Sequence, residues 1–150
     1  MKVAAGAVAY LNVGATYPCS FAIAGIGVPE ASGSFGALRL AANGATITNS
    51  ITLTGNARIT ARLASSSGAT LSGPISGGHA LEFNNCGDNT GVLAISNPSN
   101  SWSGGTLIGH GVLRLGASEV IPNGAGAGSM TLSNTSASFD TILNLSGFTE

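Results

Sequence analysis

Gly36-Ala37-Leu38-Arg39-Leu40 recurs as Gly111-Val112-Leu113-Arg114-Leu115, with His79-Ala80-Leu81-Glu82-Phe83 as a weaker third copy. A repeated unit this short, apolar at alternate positions, is a strand with one greasy face that it cannot bury alone. Apolar pairs recur around it. Leu38/Leu40, Ile59/Ala61 and Leu81/Phe83 form one series; Ile51/Leu53, Leu71 and Leu93/Ile95 form a second, offset series. The spacing is about 20 to 22 residues, the length of one coil of a β-solenoid with two or three short strands per turn. Stacked coils place equivalent strands ~4.8 Å apart with parallel hydrogen bonds. The expectation is one all-β solenoid over residues 1–150 with about 20 residues per coil. Leu38, Leu40, Ile59, Leu81, Phe83, Leu113 and Leu115 should point inward. The 32-residue interval from Leu81 to Leu113 breaks the phase.

The rest of the chain agrees with short strands. Thr46-Ile47-Thr48, Ile51-Thr52-Leu53-Thr54, Met130-Thr131-Leu132 and Leu143-Asn144-Leu145 alternate with period two. Arg58-Ile59-Thr60-Ala61-Arg62-Leu63 puts Ile59, Ala61 and Leu63 inward and Arg58, Thr60 and Arg62 in water. Between the runs stand turn formers such as Asn43-Gly44, Gly55-Asn56, Gly77-Gly78, Asn97-Pro98 and Asn123-Gly124. Gly, Ala, Ser, Thr and Asn supply 89 of the 150 residues, which suits a narrow interior. Charged residues are 7% of the chain and the net charge is −1. Such a chain has no electrostatic pull on nucleic acid or an anionic membrane, and it lacks the charged residues that helices place in water. No stretch approaches the ~20 apolar residues of a spanning helix. Met1 to Ala15 has the outline of a signal peptide, but one lysine and the interruptions at Gly6 and Asn12 favour reading Val3 to Val13 as strand.

Asn97-Pro98-Ser99-Asn100-Ser101-Trp102-Ser103-Gly104-Gly105-Thr106 leads into Leu107-Ile108-Gly109-His110-Gly111-Val112-Leu113-Arg114-Leu115-Gly116. It continues to Glu119-Val120-Ile121-Pro122-Asn123-Gly124. This segment resembles the autotransporter-associated β-strand repeat, in which an N-T-Y-S-G-G-T-like stretch precedes a strand, G-x-L-x-L-G and a proline-glycine turn. The resemblance is strong over residues 91–150, loose over 36–90 and weak over 1–35. It implies a right-handed parallel β-helix in a large exported bacterial surface protein. In that reading Trp102, Gly104, Gly105, Pro122 and Gly124 form the repeat-motif turn, with Trp102 packed at a coil corner. The two cysteines, Cys19 and Cys86, depart from what suits a passenger crossing an outer membrane unfolded.

Groups able to carry chemistry are sparse. The carboxylates are Glu30, Glu82, Asp88, Glu119, Asp140 and Glu150, and only Glu82 and Asp88 lie close in sequence. A polysaccharide lyase or hydrolase needs clustered carboxylates with a base, whereas Asp88 sits in the turn sequence Gly87-Asp88-Asn89-Thr90-Gly91. His79 and His110 stand beside glycines and read as surface or turn histidines. Arg39, Glu82 and Arg114 share the outward slot of the repeated unit and read as a solubility feature. With no ligand-spaced cysteines or histidines, no catalytic, metal or cofactor site is expected. Cys19 and Cys86, several coils apart, should not bridge within one chain. Thr46/Thr48 and Thr52/Thr54 evoke ice-binding threonine faces but sit on adjacent strands.

Three function classes follow. The leading one is structural: a non-enzymatic β-helical stalk or fibre segment, extracellular or on the bacterial surface, associating end to end through uncapped coils. The alternative is a glycan-binding or polysaccharide-processing module on the same scaffold. An ice-binding face is the third.

Overall fold

In the computed structural model of the chain, residues 1–31, 33–62, 68–84, 91–134 and 140–150 are described. Among them there is no helix. Fifteen strands join into one sheet that curls into a half-barrel. Every strand pairing in it is parallel.

The pairings fall into three ladders. The first runs through Lys2–Val3, Phe21–Gly25, the start of Ile51–Ala61, Ile75–Gly77 and Ser101–Trp102. The second runs through Ala9–Leu11, Leu38–Leu40, the end of Ile51–Ala61, Leu81–Asn84, the start of Thr106–Leu115 and Met130–Leu132. The third runs through Thr16–Tyr17, Thr46–Ile47, Gly68–Leu71, Val92–Ile95, the end of Thr106–Leu115 and Thr141–Asn144. The chain visits the ladders in that order and then starts again.

Period-two alternation now has a destination. In the second ladder Ala9, Leu38, Ile59, Phe83, Ile108 and Leu132 stand in register across six rungs. In the third, Ile47, Leu71, Ile95 and Leu115 form one column, and Ala69, Leu93, Leu113 and Leu143 another. Leu38, Leu40, Ile59, Leu81, Phe83, Leu113 and Leu115 are all buried in one continuous core. Interior side chains in these columns are covered above and below by their register partners, which is why an apolar residue recurs from rung to rung in them. Among the described residues no further strand covers the last rung: Met130 and Leu132 are 45% and 48% exposed, although their partners Thr106 and Ile108 are buried.

Three expectations need correction. Pairing recurs not at about 20 residues but most often at 24 or 25, as in Ala57 with Leu81, Leu81 with Thr106 and Thr106 with Met130. Three strands and their turns need more chain than two. The 21-residue step from Leu38 to Ile59 is the one the sequence displays; it is short because Ile51–Ala61 serves two ladders without a separate turn. Second, Ile51 pairs with Ile75, not with Leu71, which belongs to the third ladder between Ile47 and Ile95. Third, the repeated unit is not one equivalent slot. Leu38/Leu40 and Leu81/Phe83 lie in the second ladder, and Leu113/Leu115 lie in the third. That division accounts for the broken phase after Leu81.

A hairpin interrupts the pattern. Pro29–Glu30 pairs antiparallel with Gly33–Ser34. Its insertion lengthens the step from Ala9 to Leu38 to 29 residues. It also covers the outer side of the second ladder, so Thr60 and Arg39, expected in water, are buried. Gly36 has φ 92°, and a Cβ there would lie 2.8 Å from Thr60 Oγ1, so the return from the hairpin needs glycine.

Ile59 occupies the middle of the six-rung column and is fully buried. Ile59→Ala should therefore cost about 2–5 kcal/mol in chemical denaturation. Leu132→Ala, at the uncovered end of the same column, should cost about 1 kcal/mol or less. Equal costs would show that the column is not the source of burial.

Candidate functional site

Trp102 lies where the first ladder turns into the second. It is fully buried. Phe83 meets it edge to face, with ring centroids 6.0 Å apart at 69°. Its Nε1–H donates to Thr106 Oγ1 at 2.9 Å. Ring and polar atom are both engaged inside, leaving no open ring face for stacking on a ligand. At Gly105 the backbone enters the left-handed region with φ 97°, and a Cβ on Gly104 would overlap the Ala80 nitrogen. The corner closes only with glycine there.

Asparagines clasp neighbouring rungs beside these turns. Asn100 accepts from the Ile75 N–H at 2.8 Å and donates to the Val120 carbonyl at 2.7 Å, so one side chain ties rungs on both sides. Asn97 donates to the Ser72 carbonyl, Asn49 to the Pro18 carbonyl, and Asn43 and Asn56 accept from the Gly68 and Ala80 N–H groups. Asn43, Asn56 and Asn97 were visible in the sequence as turn formers; the cross-rung hydrogen bonds of all five asparagines were not.

Between the Trp102 corner and the following loop lies an open cleft of about 410 Å³. Pro98, Ser101, Ser103, Glu119, Pro122 and Asn123 line it. Gly124, with φ 85°, turns the loop. Glu119 has φ 53°, a left-handed conformation costing a side-chain-bearing residue about 1–2 kcal/mol. Neighbouring contacts hold it there. Its N–H donates to the Thr149 carbonyl at 3.0 Å. The Val120 and Ile121 N–H groups donate to the two carboxylate oxygens of Glu150, each at 3.0 Å. The Glu119 carboxylate accepts from Asn123 Nδ2 at 2.9 Å.

Arg39, Arg58, Glu30 and Glu82 are engaged locally. Arg39 pairs with Glu30 on the hairpin and lies between two rings, its Cζ 5.4 Å from the Tyr10 centroid and 5.0 Å from that of Phe35. Arg58 pairs with Glu82 at 2.9 Å and donates to the Ser34 carbonyl. Arg39 and Glu82 are therefore neither free nor in the same slot as Arg114, which is exposed in the third ladder beside Ala94 and Asn144. Asp88, Cys86 and Leu63 lie outside the described residues. Cys19 is a half-buried free thiol. Among the described residues no three of His, Cys, Asp and Glu gather in a group that could hold a metal ion.

His110 corrects another expectation. It is buried, not a surface or turn histidine. Its strand, Thr106–Leu115, runs from the second ladder directly into the third and carries the ring under cover. Thr16, Thr46 and Thr70 also form a register column that the adjacent Thr-x-Thr pairs did not reveal. The column ends at Ala94 and Arg114, too soon for an extended threonine face. Its signal was a spacing of 30 and then 24 residues.

No known protein family, curated protein or solved structure matches the chain.

Burial pushes the His110 pKa below the ordinary histidine value. The unfolded chain takes up a proton near pH ~6.5 while the folded chain resists it. The contribution of His110 to stability is thus complete above that pH and is lost as pH falls through the depressed folded value. Denaturation midpoints should drop between neutral and mildly acidic pH, and His110→Gln should flatten that part of the profile. An unchanged profile in the variant would remove His110 as its origin.

Proposed function

We propose that this chain is a structural segment, the β-solenoid of a stalk or fibre in an exported bacterial surface protein. In this reading the three ladders are the three faces of a right-handed parallel β-helix, each circuit being one coil. The six-rung column from Ala9 to Leu132 carries the proposal: an interior made of stacked apolar layers extends by adding layers. Length is then gained without a new kind of core, which is what a projecting stalk needs. The resemblance of residues 91–150 to the autotransporter-associated repeat gives the same direction and supplies the extracellular or cell-surface location. The engagement of Glu30 and Glu82 by arginines favours scaffold over acid–base chemistry.

Association between copies belongs to this proposal. The last rungs expose Met130, Leu132, Ile142, Leu145 and Phe148, and among the described residues no strand pairs with the outer edges of Met130–Leu132 and Thr141–Asn144. At the first rung Val3, Ala9 and Leu11 are buried, with Met1, Tyr10 and Val13 exposed. Unlike ends that pair repeat head to tail and build a filament rather than a closed dimer.

Sedimentation at micromolar concentration is the test, with electron microscopy of the same sample. The proposal expects species that grow with concentration and short filaments, both abolished by Leu132→Glu with the fold retained. A monomer at every concentration would overturn the filament, and antiparallel pairing among the strands of the three ladders in an experimental structure would overturn the solenoid.

A further inference from the structure

From the cleft beside Trp102 we infer a second activity that is independent of the structural role: binding of a neutral, hydroxyl-rich ligand, a short oligosaccharide. The volume, about 410 Å³, lies within the ~300–1,000 Å³ typical of small-molecule sites. Its lining supplies two kinds of surface that a sugar needs. Pro98 and Pro122 offer rigid apolar faces for the C–H faces of a pyranose ring. Ser101 and Ser103 flank the buried Trp102 and are both exposed, so their hydroxyls border the cleft.

Glu119 sets the ligand class. It is the one charged residue of the lining, so the cleft repels anions and offers no cation to a uronate or phosphate. A carboxylate accepts hydrogen bonds and donates none, and the natural complement is a pair of neighbouring hydroxyl groups. Asn123 Nδ2 orients the carboxylate through Oε2. The loop backbone is bolted at Glu119, Val120 and Ile121 by Thr149 and Glu150. The carboxylate is thus presented on a pre-ordered loop in an uncommon backbone conformation, as recognition sites often are. Trp102 acts as the buried floor, which distinguishes this site from one built on an exposed aromatic platform.

The experiment is a titration of the isotopically labelled chain with chitotriose and maltotriose, followed by amide chemical shifts. Trigalacturonate and trilysine serve as contrasting probes. At least one neutral trisaccharide should bind with millimolar affinity and shift residues 98–103 and 119–127 while leaving the third ladder unmoved. Glu119→Gln, which keeps the shape and the backbone demand, should weaken binding about tenfold, the loss of a hydrogen bond to a charged acceptor. Ser101→Ala should weaken it less. The inference is overturned if neither neutral sugar shifts the cleft at tens of millimolar. It is equally overturned if Glu119→Gln binds as tightly as the parent, or if trilysine or trigalacturonate is preferred. None of these outcomes bears on filament formation, so failure here leaves the structural proposal intact.

Discussion

Every layer of this molecule depends on parallel backbone hydrogen bonding, with amides donating both to the following rung and to the preceding one, as Thr70 does to Ala45 and Ser96 to Leu71. Ile51 donates to Pro74, Ala57 to Ala80, Leu81 to Gly105 and Thr106 to Ser129, each at 2.9 or 3.0 Å. Parallel pairing keeps residues of like character opposite one another, so the inward positions build columns and the interior is continuous. Burial and hydrogen bonding reinforce the same register. A slip of one residue would turn every column outward, and a slip of two would leave the asparagine clasps at the turns without their partners.

The scarcity of charge gives the few ion pairs a defined place. Three of the five basic residues, Arg39, Arg58 and Arg62, lie around the hairpin. Arg39 reaches back to Glu30, Arg58 holds Ser34, and both Arg39 and Arg62 pack on Phe35. The hairpin is an inserted element without a partner in the ladders, and these contacts fasten it over the second ladder. Elsewhere the outer surface relies on Ser, Thr and Asn, which hydrogen-bond to water or to the next rung at little cost in desolvation.

Much of the fold was legible because strand alternation is a local signal. Whether Leu38, Ile59 or Leu113 points inward is set by its immediate neighbours, and the 21-residue step from Leu38 to Ile59 preserved one true pairing. Which ladder a strand joins is decided by the length of chain between turns. Leu113 therefore resembled Leu38 in sequence and yet stacks on Leu93. The burial of Arg39, Thr60 and His110 escaped notice for the same reason, since their cover comes from the hairpin or from strand continuation. Of the cleft, Trp102 and Pro122 stood out as motif residues. Asn123 stood out only as a turn former and Glu119 only as one of the scattered carboxylates, because a carboxylate held at φ 53° has no sequence signature.

The central claim is the register, and through-hydrogen-bond scalar couplings measure it without altering the chain. They identify the carbonyl that accepts each amide proton. The ladders predict couplings from Ile51 to Pro74, Ala57 to Ala80, Leu81 to Gly105 and Thr106 to Ser129, toward the following rung, and from Arg62 to Leu40, Thr70 to Ala45 and Ser96 to Leu71, toward the preceding one. Reciprocal couplings between sequence-adjacent strands other than the hairpin of Pro29–Glu30 and Gly33–Ser34, the mark of antiparallel pairing, would contradict the layered parallel core.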